Sequence, residues 1–122
     1  MILYHGSDAD FEIFSDKFLV REGSGPNSAL GIWLGERWVA GNFGKYTYKV
    51  KCSCINLYRM PIGEMIEHHS ESEGDPAYFV KMRIDMMSQG YDGILVLEND
   101  GTTPTGVVMD LSKLAIVGRE TR

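Results

Sequence analysis

The stretch YTYKVKCSC, residues 46–54, decides the class of fold because its side chains alternate with a period of two. Tyrosine, valine and cysteine side chains occupy the even positions, and threonine, lysine and serine side chains occupy the odd ones. This is the pattern of a β-strand with one face buried and the other in solvent. The chain is therefore expected to contain a sheet that packs on one face only.

Shorter apolar segments on both sides of this strand predict further strands, at residues 2–5, 30–34, 93–97, 106–111 and 114–117. A short helix is predicted over residues 36–43, ending at Gly44. A longer helix begins with Asp75 and Pro76, an N-cap followed by a proline in the first turn, and ends at Gly90. The polar residues before Asp75 are predicted to form a loop, and the last three strands an antiparallel meander.

Strands at both ends with helices between them favour an α+β fold rather than the alternating units of a parallel sheet. With 122 residues, the chain is predicted to form one domain over residues 1–122. No GxGxxG follows a predicted strand, and no Walker A sequence is present, so neither a Rossmann site nor a phosphate loop is expected.

The net charge of −5 opposes sequence-independent binding of nucleic acid, which depends on lysine and arginine side chains that neutralise phosphates. A local positive site for a nucleotide remains open, and the candidates for it are Arg21, Lys45, Lys49 and Lys51. The N-terminal residues lack the pattern of a signal peptide, and no apolar run has the roughly 20 residues that a membrane-spanning helix needs. A cytoplasmic protein without a membrane role is predicted.

Three separated segments carry candidate chemistry, namely Tyr4-His5-Gly6-Ser7, Gly31-Ile32-Trp33-Leu34 and Leu97-Glu98. In this order they resemble the ADP-ribosyltransferase superfamily, in the branch of diphtheria toxin and the poly-ADP-ribose polymerases. That branch has a histidine on its first strand, a tyrosine between hydrophobic residues after a glycine, and a glutamate on a later strand. The three positions fall on His5, Trp33 and Glu98. Gly90-Tyr91-Asp92-Gly93 and the apolar strand after it extend the resemblance to small, phage-borne members.

The resemblance implies an ADP-ribosyltransferase-like α+β fold of two packed antiparallel sheets, with short flanking helices and a central cleft for the co-substrate NAD. It implies that His5 donates a hydrogen bond to a ribose hydroxyl and that the backbone of Gly6 pairs with the nicotinamide carboxamide. Ser7 adds a hydroxyl contact, Trp33 stacks on the nicotinamide ring, and Phe43 forms the other wall. Tryptophan keeps the stacking surface of the usual tyrosine but lacks its hydroxyl.

Cleavage of the bond to nicotinamide passes through an oxocarbenium-like state, which a fixed carboxylate stabilises. Glu98 is the preferred catalytic residue because it directly follows a predicted strand. Asp100 is the alternative, since Glu98-Asn99-Asp100 also resembles the Glu-x-Glu arrangement of toxin-like members, which would leave Glu98 as a substrate contact.

The predicted function is mono-ADP-ribosylation of a host protein by a phage-type or toxin-type effector. The loops at residues 22–28 and 102–104 are the candidate surfaces for docking this acceptor. Two alternatives within enzymes are NAD hydrolysis and transfer to a nucleic acid, which the negative charge disfavours. A third alternative is a non-catalytic binding protein that inhibits a protein complex. Glu64 and His68 have helical metal-ligand spacing, but without a third ligand no metal site is predicted.

Overall fold

The computed structural model of the protein describes residues 2–7, 14, 26–35, 40, 44–53, 56–97 and 105–121. The strands of this part are β1 Ile2–Ser7, β2 Ile32–Leu34, β3 Tyr46–Cys52, β4 Leu57–Pro61, β5 Gly93–Leu97, β6 Thr105–Val108 and β7 Leu114–Thr121. Its helices are α1 Ile62–Ser72, α2 Pro76–Ser88 and the 3-10 helices Pro26–Leu30 and Leu111–Lys113. The fold class is α+β, with two sheets. In the predicted helix over residues 36–43, Ala40 is helical, and the other residues lie outside the described ones.

The first sheet has three strands in the order β1-β3-β7, and both of its strand pairs are antiparallel. Its central strand, β3, is the stretch with the alternating pattern, and the predicted burial is confirmed for residues 48–51 but not for Thr47, which is buried although it belongs to the predicted solvent face. Tyr48 and Val50 are buried, whereas Lys49 and Lys51 are exposed. Strand β3 is paired on both edges, and its apolar face packs in the core.

The second sheet has four strands in the order β2-β6-β5-β4, and here the prediction of purely antiparallel sheets is wrong. Strand β4 pairs with β5 in parallel, with Leu57 opposite Gly93 and Pro61 opposite Leu97. Two parallel neighbours cannot be joined by a hairpin, so the chain needs a long crossover between them. Helices α1 and α2 provide this crossover and cover one face of the sheet.

The predicted C-terminal meander is also wrong in its last step. Strands β5 and β6 form the expected antiparallel pair, but β7 pairs with β3 of the three-stranded sheet. The change of sheet takes place over the 3-10 helix Leu111–Lys113, where the carboxylate of Asp110 accepts a hydrogen bond from the Ser112 N–H. The C-terminal strand therefore ties the two sheets together instead of extending one of them.

Residues 62–72, predicted as a polar loop, form helix α1. The loop prediction is wrong because it followed the polar residues of the segment, whereas Ile62, Met65 and Ile66 have the i, i+3, i+4 spacing of a helix. Strand β4 precedes it and was not predicted at all. In contrast, α2 begins as predicted: Asp75 accepts a hydrogen bond from the Ala77 N–H at 2.9 Å, and Pro76 occupies the first turn.

The apolar side chains form two clusters, one on each face of the four-stranded sheet. The first cluster lies between this sheet and the helices, and its largest fully buried member is Phe79 of α2. The second lies between the two sheets and is built around Tyr48 and Val50 of β3. Burial of one large apolar side chain contributes about 1.5–3 kcal/mol, so both clusters are substantial sources of stability.

Among the described residues, an isolated bridge between Tyr4 of β1 and Gly35, just after β2, joins the two sheets. The N–H of each residue donates to the carbonyl oxygen of the other, over 2.9 and 3.0 Å. Beyond this bridge β1 and β2 are no longer paired within the described residues. The predicted site residues of β1 lie immediately next to this point of divergence.

Candidate functional site

His5 lies in β1 directly opposite Tyr48 of β3, and its imidazole contacts the second apolar cluster. The ring packs edge-on against Phe14, with 5.5 Å between centroids, and lies 6.5 Å from the Tyr48 ring. Its Nδ1 is 2.7 Å from the carbonyl oxygen of Trp33. The structure therefore brings together the first two elements of the predicted site, β1 and β2.

The bond to Trp33 determines the hydrogen positions on the His5 ring. A carbonyl oxygen can only accept a hydrogen bond, so Nδ1 must carry the hydrogen. In a neutral imidazole, Nε2 is then an acceptor. The predicted donation from His5 to a ribose hydroxyl consequently requires either a charged ring or the opposite polarity, in which the hydroxyl donates to Nε2.

Gly6 presents its backbone toward the edge of β1 that diverges from β2. In an antiparallel strand, the N–H and C=O of one residue point to the same edge, as do those of the residue two positions further. Tyr4 uses both of these groups to bond Gly35, so the corresponding groups of Gly6 face the same edge. A primary amide placed there would meet a donor and an acceptor at the spacing it requires.

Trp33 faces the helices rather than the three-stranded sheet. It lies opposite Val107, which lies opposite Ile94, and both of these partners belong to the first cluster. The indole N–H donates to the carbonyl oxygen of Asn27 at 3.0 Å. The ring is half-buried and fixed in orientation, and it is linked to His5 through its own backbone carbonyl rather than through ring contact.

The remaining predicted residues differ in how far the structure describes them. Ser7, opposite Tyr46, is only 5% exposed, so its hydroxyl faces the protein interior. Phe43, Glu98 and Asp100 lie outside the described residues. Strand β5 ends at Leu97, directly before Glu98 in the sequence, and it runs in the same direction as β2 two strands away.

The Gly-Tyr-Asp-Gly segment has a structural explanation. Asp92 holds the start of β5 in place: its carboxylate accepts from the Asn56 N–H, and its carbonyl oxygen accepts from the N–H groups of Met109 and Asp110. At Gly93 a Cβ would lie 2.6 Å from a backbone oxygen of β6, so only glycine fits. This motif builds the junction of three strands.

A polar network that sequence reasoning did not identify connects β4, α1 and α2. The Tyr58 hydroxyl donates to Glu64 at 3.2 Å, and the Tyr78 hydroxyl donates to Glu71 at 3.0 Å. His68 Nδ1 is 2.7 Å from the Tyr78 oxygen, and because that hydroxyl hydrogen is used by Glu71, Nδ1 must be the donor. His68 Nε2 lies 3.8 Å from Glu64. Glu64 and His68, whose spacing resembles that of metal ligands, thus hold α1 against β4 and α2.

This network raises the pKa of both tyrosines above the ordinary value of 10.0. For Tyr58, the main causes are the hydrogen bond to Glu64 and the negative charge of that carboxylate. For Tyr78, burial is the largest cause, followed by the hydrogen bond to Glu71. Among the described residues, no group of three potential metal ligands is present.

Among known proteins, no family model and no curated protein matches this chain. A crystal structure of an anti-CRISPR protein is similar to it, with a TM-score of 0.52 over 96% of this chain and 95% of that chain. The two sequences are 13% identical, so the likeness shows the fold alone. Among the described residues, no helix has the length and apolar character needed to span a membrane.

Proposed function

We propose that this protein is an NAD-dependent ADP-ribosyltransferase with an ADP-ribosyltransferase-like fold, acting in the cytoplasm of a host cell. The observation that carries the proposal is the contact between His5 of β1 and Trp33 of β2, at the place where the two sheets diverge. Two residues that the resemblance assigns to NAD, 28 positions apart in the sequence, are adjacent in the fold. The cleft for NAD begins at this divergence.

The edge of β1 to which the N–H and C=O of Gly6 point suits the nicotinamide carboxamide, which has one acceptor oxygen and one donor nitrogen. His5 then meets a ribose hydroxyl through Nε2, because Nδ1 is committed to the Trp33 carbonyl. Trp33 contributes to this site through the backbone carbonyl that holds the His5 ring, because its indole lies on the helix side of the four-stranded sheet, and the ring of Phe43 is the proposed wall against the nicotinamide. The Ser7 side chain, which is only 5% exposed, takes no direct part in this contact.

In the proposed reaction, the bond between ribose C1′ and the nicotinamide nitrogen breaks, and its electron pair leaves with neutral nicotinamide. A nucleophile of the acceptor forms a new bond to C1′ and loses its proton. The Glu98 carboxylate opposes the positive charge on the ribose as the first bond breaks, with Asp100 as the alternative. Hydrolysis, with water as the acceptor, is the same reaction with a different nucleophile.

A protein acceptor is proposed over a nucleic acid because the chain carries a net charge of −5. The likeness to an anti-CRISPR protein supports a phage effector that modifies a protein of the host's CRISPR defence. No metal is required by this chemistry, since the carboxylate and hydrogen-bond donors supply the stabilisation.

The test is incubation of the purified protein with labelled NAD and host lysate, with nicotinamide release measured in parallel. We expect a labelled protein band and nicotinamide release, and we expect Glu98→Gln to reduce release by about 100-fold or more. Glu67→Gln, which removes an exposed carboxylate of α1, is the matched control and should retain activity. Labelling of RNA or DNA alone would overturn the protein acceptor.

A non-catalytic inhibitor of a protein complex is the second candidate. The observations that favour it are the anti-CRISPR neighbour and the Trp33 indole, which is half-buried and bonded to Asn27 rather than fully presented to a ligand. The two candidates differ in how they respond to Glu98→Gln. If this variant keeps full inhibition of the host defence while wild-type protein releases no nicotinamide, the inhibitor is correct and the enzyme is not.

A further inference from the structure

A cluster of one aromatic ring and two cations lies at the N-terminal end of β3. The guanidinium carbon of Arg119 lies 4.8 Å from the centre of the Tyr46 ring, and the ammonium nitrogen of Lys45 lies 5.5 Å from it. Both cations are exposed and the ring is half-buried, so the cluster is accessible from solvent. On a chain with a net charge of −5, this is a local concentration of positive charge.

A β-bulge in β7 determines which way Arg119 points. Val50 lies opposite Ile116, but the next residue pair toward the start of β3 is Lys49 with Gly118. Val117 is therefore an extra residue in β7, and it is 52% exposed. Such a bulge reverses the alternation of side chains beyond it and often re-aims a side chain near a functional site.

Without the bulge, Arg119 would lie on the face opposite to Ile116. With it, Arg119 lies opposite Tyr48 and on the same face as Tyr48 and Tyr46. The extra residue, Val117, therefore places this guanidinium on the face of the sheet that carries the Tyr46 ring. An arginine needed only for solubility would not require that reversal.

The same face of the sheet carries His5. Its ring lies 6.5 Å from Tyr48, and the Tyr48 ring lies 6.3 Å from Tyr46, so the three side chains form a continuous row. Tyr46 lies opposite Ser7, two residues beyond His5, which corresponds to about 7 Å along the strands. The cluster therefore lies next to His5, the residue proposed to contact the nicotinamide ribose.

We propose that Arg119, Lys45 and Tyr46 form a subsite for the diphosphate of the dinucleotide. This inference rests on the proposed function, because that function places the other end of NAD at Gly6 and His5. The planar guanidinium suits paired phosphate oxygens, and the ammonium adds a point charge. Lys49 and Lys51, the cations within β3, lie on the opposite face of the sheet and take no part.

The experiment measures binding of ADP, which contains the diphosphate but no nicotinamide and no bond to be cleaved. Isothermal titration compares wild type with Arg119→Ala and Lys45→Ala, and uses Lys51→Ala as a control with the same change of charge in β3. We expect each of the first two variants to weaken ADP binding by about tenfold, as loss of a charge-assisted hydrogen bond does, and Lys51→Ala to have no effect. Binding of free nicotinamide should be unchanged in all three.

Three results would overturn the subsite: wild-type protein that does not bind ADP, Arg119→Ala that binds it as wild type does, or equal weakening by Lys51→Ala. The last would mean that only general charge matters. Because all four proteins are also assayed for nicotinamide release, failure of the subsite and failure of the enzyme are distinguishable. If wild type releases nicotinamide and Arg119→Ala binds ADP as wild type does, only the subsite is rejected. If the ADP affinities of all four proteins are as expected but wild type releases no nicotinamide, only the enzymatic function is rejected.

Discussion

At the scale of single residues, the proposed site gives the two nitrogens of His5 different tasks. Nδ1 holds the ring against the Trp33 carbonyl, whereas Nε2 is the atom assigned to the substrate. Asparagine at this position places an amide N–H near Nδ1 but has no atom at Nε2. The two roles can therefore be separated by one conservative substitution.

We expect His5→Asn, which keeps a donor near the Trp33 carbonyl but loses the ring packing on Phe14, to lower the melting temperature less than His5→Ala does and to raise the KM for NAD by about two- to tenfold, as loss of one neutral hydrogen bond does. His5→Ala loses both contacts and should lower the melting temperature further. Nicotinamide-release kinetics and thermal melts of both variants measure this difference. An unchanged KM in His5→Asn would remove His5 from the proposed NAD site.

At the scale of elements, the close approach of β2 to β6 depends on Gly31. Its φ is +155°, and a Cβ there would lie only 2.1 Å from the carbonyl oxygen of Val108, which belongs to the backbone and cannot simply rotate away. Gly63 in α1 is the contrasting case, because a Cβ there meets nothing within 4 Å. The two glycines make a matched pair.

Gly31→Ala is expected to lower the free energy of unfolding by about 2–4 kcal/mol, since backbone must move to relieve the overlap. Gly63→Ala should raise it by about 0.5–1 kcal/mol, because alanine is the better helix former. Urea denaturation of both variants gives the two values. Equal stabilities of Gly31→Ala and wild type would show that β2 does not need its close contact with β6.

The elements also differ in how well the sequence predicts them, and the reason is local. The alternation in β3 and the Asp75-Pro76 start of α2 are each contained within a few neighbouring residues, and both predictions are confirmed. Helix α1 has a shorter signal, the i, i+3, i+4 spacing of Ile62, Met65 and Ile66, and the residues after it are mostly polar and exposed. It is stabilised by packing on the four-stranded sheet, where Met65 joins the first apolar cluster.

At the scale of the whole molecule, the assignment of strands to sheets was not predictable from local patterns. The parallel pairing of β4 with β5 and the transfer of β7 to the other sheet depend on contacts between distant segments. The same holds for the proposed site. The adjacency of His5 and Trp33 follows the order of motifs in the resemblance, but the position of Arg119 depends on a bulge that alternation along β7 does not reveal.

The polar network of β4, α1 and α2 makes the stability of the whole fold sensitive to alkaline pH. Glu64 raises the pKa of Tyr58, and burial followed by Glu71 raises the pKa of Tyr78. A raised pKa means that the folded state holds the phenol proton more tightly than the unfolded state does. The contribution is therefore complete below the unfolded value, which is 10.0, and is lost as the pH rises through the folded values.

We expect the free energy of unfolding of wild type to fall as the pH rises above about 10, the pKa at which unfolded tyrosines ionise, and on through the raised folded values. The double variant Tyr58→Phe, Tyr78→Phe should be less stable at pH 8, because it lacks two hydrogen bonds, yet lose less stability over the alkaline range. Glu64→Gln removes the largest cause of the Tyr58 shift and should reduce the slope in part. Urea titrations at each pH measure the slopes. Parallel curves for wild type and the double variant would mean that these phenols do not link the helices to the sheet.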